Sequence, residues 1–301
     1  MIEITNLIKK YDDTLAIDNL NITFKEGIYG LVGHNGAGKS TLLRIISNVV
    51  YKTSGSVIVN GHDSSTKEAR DNIFFLPDYP YAKGSMDIDA MFKFYSLFYE
   101  IDKENFYRVI DEFGLPLKRR ISTFSKGMRR QVFIALSLSM NRNIILMDEP
   151  FDGLDPLVLI KIKDELLKKK LEGKTIILAS HNISSLEKIV DSFVLISNGT
   201  LSKSGTMDDL SSEFVKYQAF IKGTLTKEDL ESFGMNVISF KMVGSIYNFV
   251  IRENNVNVVD TIKSKYETYL IEVVPIDNEE IMAINMATYK EGKNAQKEGG
   301  F

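Results

Sequence analysis

Short apolar runs closed by glycine, proline or a carboxylate recur along the first two thirds of the chain, and their lengths predict strands. Ile2 to Ile8 alternates apolar and polar residues, and Leu15 to Phe24 repeats the pattern through Leu15, Ile17, Leu20, Ile22 and Phe24. Ile28 to Val32 is apolar throughout, as in a strand buried on both faces. Leu42 to Val50 changes to helical spacing. Ser56 to Asn60 reads as a short strand closing on Gly61, and Ile73 to Leu76 as a buried strand stopped by Pro77. Residues 87–113 look helical, but Met91, Phe92, Phe94, Tyr95, Leu97, Phe98 and Tyr99 cover more than one face. Such a surplus suits either a core or a docking site. A helix through Val132, Ile134, Ala135, Leu136 and Leu138 follows, then a buried strand over Ile144 to Met147. Gly153-Leu154-Asp155-Pro156 opens another helix, and Thr175 to Ala179 is a further buried strand. Strands alternating with helices predict an α/β fold around a parallel sheet.

Past residue 215 the order changes. Tyr217 to Ile221 reads as a strand, Lys227 to Phe233 as a helix, and Val237 to Met242 and Ile246 to Ile251 as strands turning at Gly244-Ser245. A helix over Val256 to Tyr266 and a strand over Tyr269 to Val274 complete β-α-β-β-α-β, the order of a ferredoxin-like fold. A last helix, Asn278 to Tyr289, precedes a polar tail. The expected domains are 1–213, with a helical subdomain at about 87–142, then a small α+β domain over 216–291 and a disordered tail over 292–301.

Composition narrows the functions. The 301 residues are 44% hydrophobic, enough for two cores. No run approaches the ~18 apolar residues of a membrane helix. Met1-Ile2-Glu3-Ile4 does not read as a secretory leader. The formal net charge of -3 argues against sequence-independent nucleic-acid binding. With no cysteine there are no disulfides or thiolate metal sites, and His34, His62 and His181 are too scattered for a zinc site.

The chemistry gathers around Gly33-His34-Asn35-Gly36-Ala37-Gly38-Lys39-Ser40, followed by Thr41. It matches G-x-x-x-x-G-K-[ST] between a strand and a helix, the context that a phosphate-binding loop requires. Its glycines let successive N–H groups turn inward on an anion, and the following helix adds the positive end of its dipole. Lys39 can reach β- and γ-phosphates, and the Ser40 hydroxyl can bind Mg²⁺. Asp78, just past a strand end, is either a Mg²⁺ ligand or a loop-capping aspartate. Asp148 and Glu149 close a central strand at its C-terminal end, where ligands bind in open α/β sheets. Asp148 can hold Mg²⁺ through its water shell, and Glu149 can orient and deprotonate an attacking water. Ser125 is a plausible N-cap within Phe124-Ser125-Lys126-Gly127-Met128, a second anion-binding element. His181 ends a strand at the same edge and could donate to a γ-phosphate. Tyr11, ahead of the site, is either an adenine-stacking ring or an ordinary edge-strand residue.

Together these motifs, in this order over about residues 1–213, resemble the ATP-binding-cassette (ABC) transporter ATPase subunits. The resemblance implies a P-loop NTPase fold with a helical subdomain, and Mg²⁺ and ATP as cofactor and substrate. It makes Gly33 to Thr41 the Walker A motif, with Asn35, Gly36, Ala37, Gly38, Lys39, Ser40 and Thr41 on the nucleotide. Tyr11 then matches the adenine-stacking aromatic, Asp148-Glu149 the Walker B pair, Asp155 the D-loop acid and His181 the switch histidine. Phe124 to Met128 matches the signature LSGGQ, in which Ser125 and Gly127 touch a γ-phosphate. Two positions depart from the pattern. Lys126 replaces a glycine and either adds charge at the phosphate or points to solvent. Asp78 stands where the family usually has a glutamine that senses Mg²⁺ and the permease.

In the family the signature of one subunit completes the site of another. The resemblance therefore implies a homodimer, or a heterodimer with a second ATPase subunit, and a separate integral membrane permease docking near residues 78–120. It places the chain on the inner face of the cell membrane, cytoplasmic and peripheral, as an exporter subunit. A soluble ABC-type ATPase for assembly or repair is the alternative, though no second cassette, long coiled coil or basic surface is visible. Glu149 argues against a non-hydrolytic regulator. The small C-terminal domain carries no catalytic constellation and is expected to regulate or to stabilise a dimer.

Overall fold

The computed structural model describes residues 1–187, 189–206, 209, 212–252, 256–277, 280–281 and 283–284. Contacts divide the chain into two compact units, 1–204 and 205–301.

The first unit carries two sheets. Strands β1 (Ile2–Tyr11), β2 (Thr14–Phe24), β4 (Ser54–Val59) and β5 (His62–Asp63) form a four-stranded sheet in the order β2-β1-β4-β5, antiparallel throughout. The six-stranded sheet has the order β10-β9-β3-β8-β7-β6. It comprises β3 (Gly27–Val32), β6 (Ile73–Leu76), β7 (Ile144–Asp148), β8 (Thr175–Ser180), β9 (Ser192–Ser197) and β10 (Thr200–Gly205). From β9 to β6 its neighbours run parallel. Both β7 and β8 are buried at every residue, which is why they read as unbroken apolar runs. Helix α1 (Lys39–Ile46) contributes Leu42, Leu43, Ile45 and Ile46 to one core with Ile2, Leu7 and Phe24 of the first sheet and Leu31, Leu146 and Ile177 of the second.

The helices are α2 (Lys67–Arg70), α3 (Ile88–Tyr95), α4 (Lys103–Glu112), α5 (Lys126–Leu138) and α6 (Pro156–Leu171). The single helical stretch expected over 87–113 is thus two helices. Ile101 pairs with Met140 between them, and Asp102 caps α4 by accepting from the Asn105 N–H, so the chain restarts there. Of the apolar residues in this stretch, Met91 and Phe106 are in the core while Leu97 and Phe98 remain exposed. The hairpin β9–β10 was not expected at all.

The second unit follows the ferredoxin-like order: β11 (Phe214–Ile221), α7 (Lys227–Ser232), β12 (Asn236–Val243), β13 (Ile246–Arg252), α8 (Val258–Lys265) and β14 (Thr268–Val274). The sheet order is β12-β13-β11-β14, with every neighbour antiparallel. One face packs Ala219, Ile221, Tyr247, Phe249 and Ile251 against Leu230 of α7 and Ile262 of α8. A capping box between Thr226 and Asp229 starts α7. The boundary falls at the end of β10 rather than at 213, because β10 is the last strand the chain gives to the six-stranded sheet. Only 280–281 and 283–284 of the helix expected over Asn278 to Tyr289 are described; the tail 292–301 lies outside the described residues.

Candidate nucleotide site

Parallel strands deliver the site to one sheet edge. The glycine loop leaves β3, Asp78 follows β6, Asp148 ends β7 and His181 follows β8. Pairing of Val32 with Ser180 and of Asp148 with Ala179 keeps the strand ends level. Asn35, Gly36, Ala37, Gly38, Lys39, Ser40 and Thr41 line one cavity of about 250 Å³ with Ala16, Asp78, Asp148 and Glu149.

The loop's glycines are needed for two different reasons. Gly36 has φ +81° with open space around it, so its requirement is conformational. At Gly38, with φ +108°, a Cβ would also stand 2.6 Å from the Ala16 carbonyl oxygen. Gly38 is the N-cap of α1 and offers no side chain, so the leading N–H groups of the helix stay open to an anion. The β9–β10 turn supports the loop from behind: the Gly199 N–H donates to the Ala37 carbonyl at 2.9 Å.

Lys39 is buried, and its ammonium donates to the Gly33 carbonyl at 2.6 Å and the His34 carbonyl at 3.2 Å. Burial lowers its pKa, while Glu149 and Asp148 oppose the shift. Asp148 is 2% exposed, and its Oδ1 is buried without a hydrogen-bond partner. Burial raises its carboxyl above the ordinary range; a hydrogen bond from Ser40 lowers it, and Glu149 and Asp78 raise it again. An orphaned carboxylate oxygen beside a hydroxyl fits a hard divalent cation. Among the described residues no cluster of three or more His, Asp or Glu could hold a metal on its own. The donor set therefore suits an ion that takes its remaining ligands from phosphates and water.

Glu149 has φ +47°, and among the described non-glycine residues at positive φ it alone is neither Asn nor Asp. Those two tolerate the left-handed region; a glutamate held there is strained by about 1 kcal/mol or more. The surroundings fix it. Its N–H donates to the Ala179 carbonyl at 2.9 Å. Its Oε1 accepts from the His181 N–H at 3.1 Å and lies 3.0 Å from His181 Nδ1, and its Oε2 accepts from the Ser180 hydroxyl at 3.3 Å. The Ser180 contact was not anticipated, although its place beside His181 at a strand end was the available signal.

Asp78 reaches the cavity with one oxygen already engaged. Arg130, 4% exposed on α5, donates to Asp78 Oδ1 at 2.7 Å and to the Asp78 carbonyl at 2.8 Å. No feature of the sequence pattern pointed to Arg130.

Tyr11, Ser125, Gly127, Asp155 and His181 are not among the residues lining this cavity. Tyr11 stands exposed at the end of β1 with the Lys9 ammonium 4.4 Å from its ring centre. Asp155 caps α6, accepting from the Leu157 N–H at 2.8 Å. Ser125 caps α5, accepting from the Met128 N–H at 3.1 Å. A Cβ on Gly127 would meet the Gly153 carbonyl oxygen at 2.6 Å, so the start of α5 lies directly on the loop that follows Glu149. Lys126 is exposed to solvent, one of the two positions expected for it, and there pairs with Asp152 of that loop at 2.5 Å.

The architecture and the glycine loop define an ATP-binding cassette, and the chain belongs to the ABC transporter ATP-binding family. The family model for ABC transporters matches residues 17–152. The chain is 32% identical over 204 residues to the lantibiotic transport ATP-binding protein SrtF of Streptococcus pyogenes, covering 67% of this chain and 89% of that protein. The solved structure of an ATP-binding subunit of an ABC transporter superposes with a TM-score of 0.64 at 26% identity, covering 70% of this chain and 91% of that one. The dimeric structure of a bacterial ABC transporter cassette gives a TM-score of 0.61 at 22% identity over 69% of this chain and 99% of its own, which shows the shared fold. The chain binds ATP and is an ATPase of transport.

Proposed function

We propose that this ATPase drives a separate membrane permease, in the export direction, by closing with a second cassette around two ATP molecules. The observation that carries the reading is the division of the site. Asn35 to Thr41, Asp78, Asp148 and Glu149 share one cavity, whereas Ser125 and Gly127 lie outside its lining. A cavity of about 250 Å³ is also small for a whole nucleotide, since ligand pockets run to roughly 300–1,000 Å³. It suits a phosphate chain that a second surface must cover. The dimeric form of the structural relative supports that arrangement.

In this reading the Lys39 ammonium leaves the Gly33 and His34 carbonyls for a phosphate. Ser40 and Asp148 hold Mg²⁺, with Asp78 beside them, and the ion neutralises charge on the phosphates when bound. Glu149, fixed by Ser180 and His181, orients and deprotonates water. Ser125, Gly127 and Asp155 of one protomer face the γ-phosphate held by the other, and Tyr11 stacks on adenine. Two identical chains suffice, and a heterodimer with a second ATPase subunit would use the same surfaces. Tyr79, Tyr81, Leu97 and Phe98 are exposed between residues 78 and 120, where a permease would dock. Among the described residues no helix is long and apolar enough to cross a membrane. We place the chain on the cytoplasmic face, held there by its permease.

Glu149→Gln tests the assignment. Turnover of the purified chain should fall about 10³-fold with ATP affinity kept, and light scattering should show an ATP-loaded dimer. A variant that stays monomeric with ATP bound would count against shared sites. Recovery of the chain from membranes with a hydrophobic partner tests the permease.

A further inference from the structure

Asp78 is shared by two cavities. It lines the nucleotide cavity with Lys39, Asp148 and Glu149, and it also lines a groove of about 450 Å³ with Tyr79, Arg129 and Arg130. The nucleotide cavity thus gathers three carboxylates around one ammonium, before a triphosphate adds its own negative charge. Arg130 is not among the residues lining that cavity. It reaches Asp78 from α5, with its side chain 4% exposed where that of Asp78 is 31% exposed.

The contact is a fork rather than a point charge. Arg130 Nη2 donates to Asp78 Oδ1 at 2.7 Å, and Nη1 donates to the carbonyl of the same residue at 2.8 Å. One planar guanidinium therefore fixes the main chain and the side chain of residue 78 together, which an ammonium on a flexible stem cannot reproduce. With Oδ1 and the carbonyl engaged, Asp78 Oδ2 makes no hydrogen bond among the described residues and is the oxygen left for a ligand. The two residues are also matched in charge. A neutral amide at 78 would need no buried cation beside it; a carboxylate among two others does.

We infer that Arg130 is a positioning residue for nucleotide binding: it cancels the Asp78 charge towards an incoming triphosphate and holds Asp78 with one oxygen free for the divalent ion. The inference rests on the proposed place of Asp78 beside that ion, and it assigns the work to a side chain outside the nucleotide cavity. Unpaired, the Asp78 carboxylate repels the phosphates that Lys39 attracts. Unheld, it presents its oxygens in many orientations to an ion that demands near-octahedral geometry.

The test is calorimetry of ATP binding to the full chain, with EDTA and with Mg²⁺. Arg130→Met should weaken metal-free ATP binding about tenfold. Adding Asp78→Asn to it should return the affinity to within about twofold of the parent. Arg130→Lys keeps a cation but not the fork, and it carries the test if Arg130→Met does not fold. It should stay within about threefold of the parent without metal, yet need about fivefold more Mg²⁺ for half-maximal enhancement of ATP binding. Asp78→Asn alone should also raise the Mg²⁺ requirement while leaving metal-free binding no weaker. A purely structural Arg130 would lower affinity alike with and without metal and would not be rescued at residue 78. Unchanged metal-free affinity in Arg130→Met, no rescue by the second substitution, or an unchanged Mg²⁺ requirement in Arg130→Lys overturns the proposal. If Asp78→Asn itself leaves the Mg²⁺ requirement untouched, the place of Asp78 beside the ion falls, and the inference with it. If Asp78→Asn raises that requirement and the Arg130 variants behave as the parent, the inference alone falls.

Discussion

Lys39, Arg130, Asp148, Glu165, Lys169 and Lys174 are buried in the first unit, whereas among the described residues of the second no charged side chain is. The second unit packs apolar residues from one sheet face and two helices and follows its hydrophobic pattern closely. The first holds orphaned polar atoms at His34, Arg142, Asp148 and Ser197, and a glutamate at positive φ. Burying charge costs stability unless partners or a ligand offset it. The first unit accepts part of that cost, at Lys39, Asp148 and Arg130, at the edge where nucleotide chemistry happens, and the rest, at Glu165, Lys169 and Lys174, away from it; the described residues of the second unit bury no charge.

Lys39→Ala should sharpen this contrast most. Calorimetry should find nucleotide affinity reduced at least about 10³-fold, with the unfolding of the second unit unchanged. Retained affinity would overturn the phosphate-loop assignment. Phe249→Ala, in the wholly apolar core, should destabilise the second unit by about 4 kcal/mol while ATP binding persists. A parallel loss of ATP binding would show that the units do not fold separately.

Arg108→Ala probes a buried charge away from the site. Burial alone would push the Glu165 carboxyl up, but hydrogen bonds from Arg108 at 2.5 and 3.0 Å and from Lys168 hold it below the usual carboxylate value. The variant should cost the first unit about 3 kcal/mol at neutral pH. A depressed carboxyl contributes stability above its unfolded value, near pH 4.3, and loses it as pH falls through its folded value. The gap between variant and parent in urea midpoint should therefore narrow below about pH 4; a constant gap would refute the ion-pair account. Ser125→Ala, which removes the cap of α5 together with the hydroxyl proposed to face the partner's γ-phosphate, should cost about 1 kcal/mol in thermal unfolding of the nucleotide-free chain.

Legibility in the sequence followed the same division. Apolar runs gave the buried strands β3, β6, β7 and β8, and period and turn residues gave the whole βαββαβ order of the second unit. The glycine loop and the carboxylate pair were readable because backbone conformation and charge dictate residue type there. The β9–β10 hairpin was missed despite Asn198-Gly199, both at positive φ, the strongest short hairpin signal. Its strand Ser192–Ser197 is an apolar run bounded by serines and carries no chemistry to draw attention. The break at 96–102 was hidden because its cause, Ile101 on Met140, is a contact distant in sequence. Arg130 on Asp78 and Lys126 on Asp152 were unreadable for the same reason.

The contact of Gly127 with Gly153 has a mechanical corollary. With no room for one added carbon between them, and the Lys126–Asp152 bridge alongside, the head of α5 cannot shift without pushing the peptide that leads back to Glu149. In the closed pair proposed above, each protomer's grip on its mate's phosphates would thereby be geared to the carboxylate proposed to activate water in its own site.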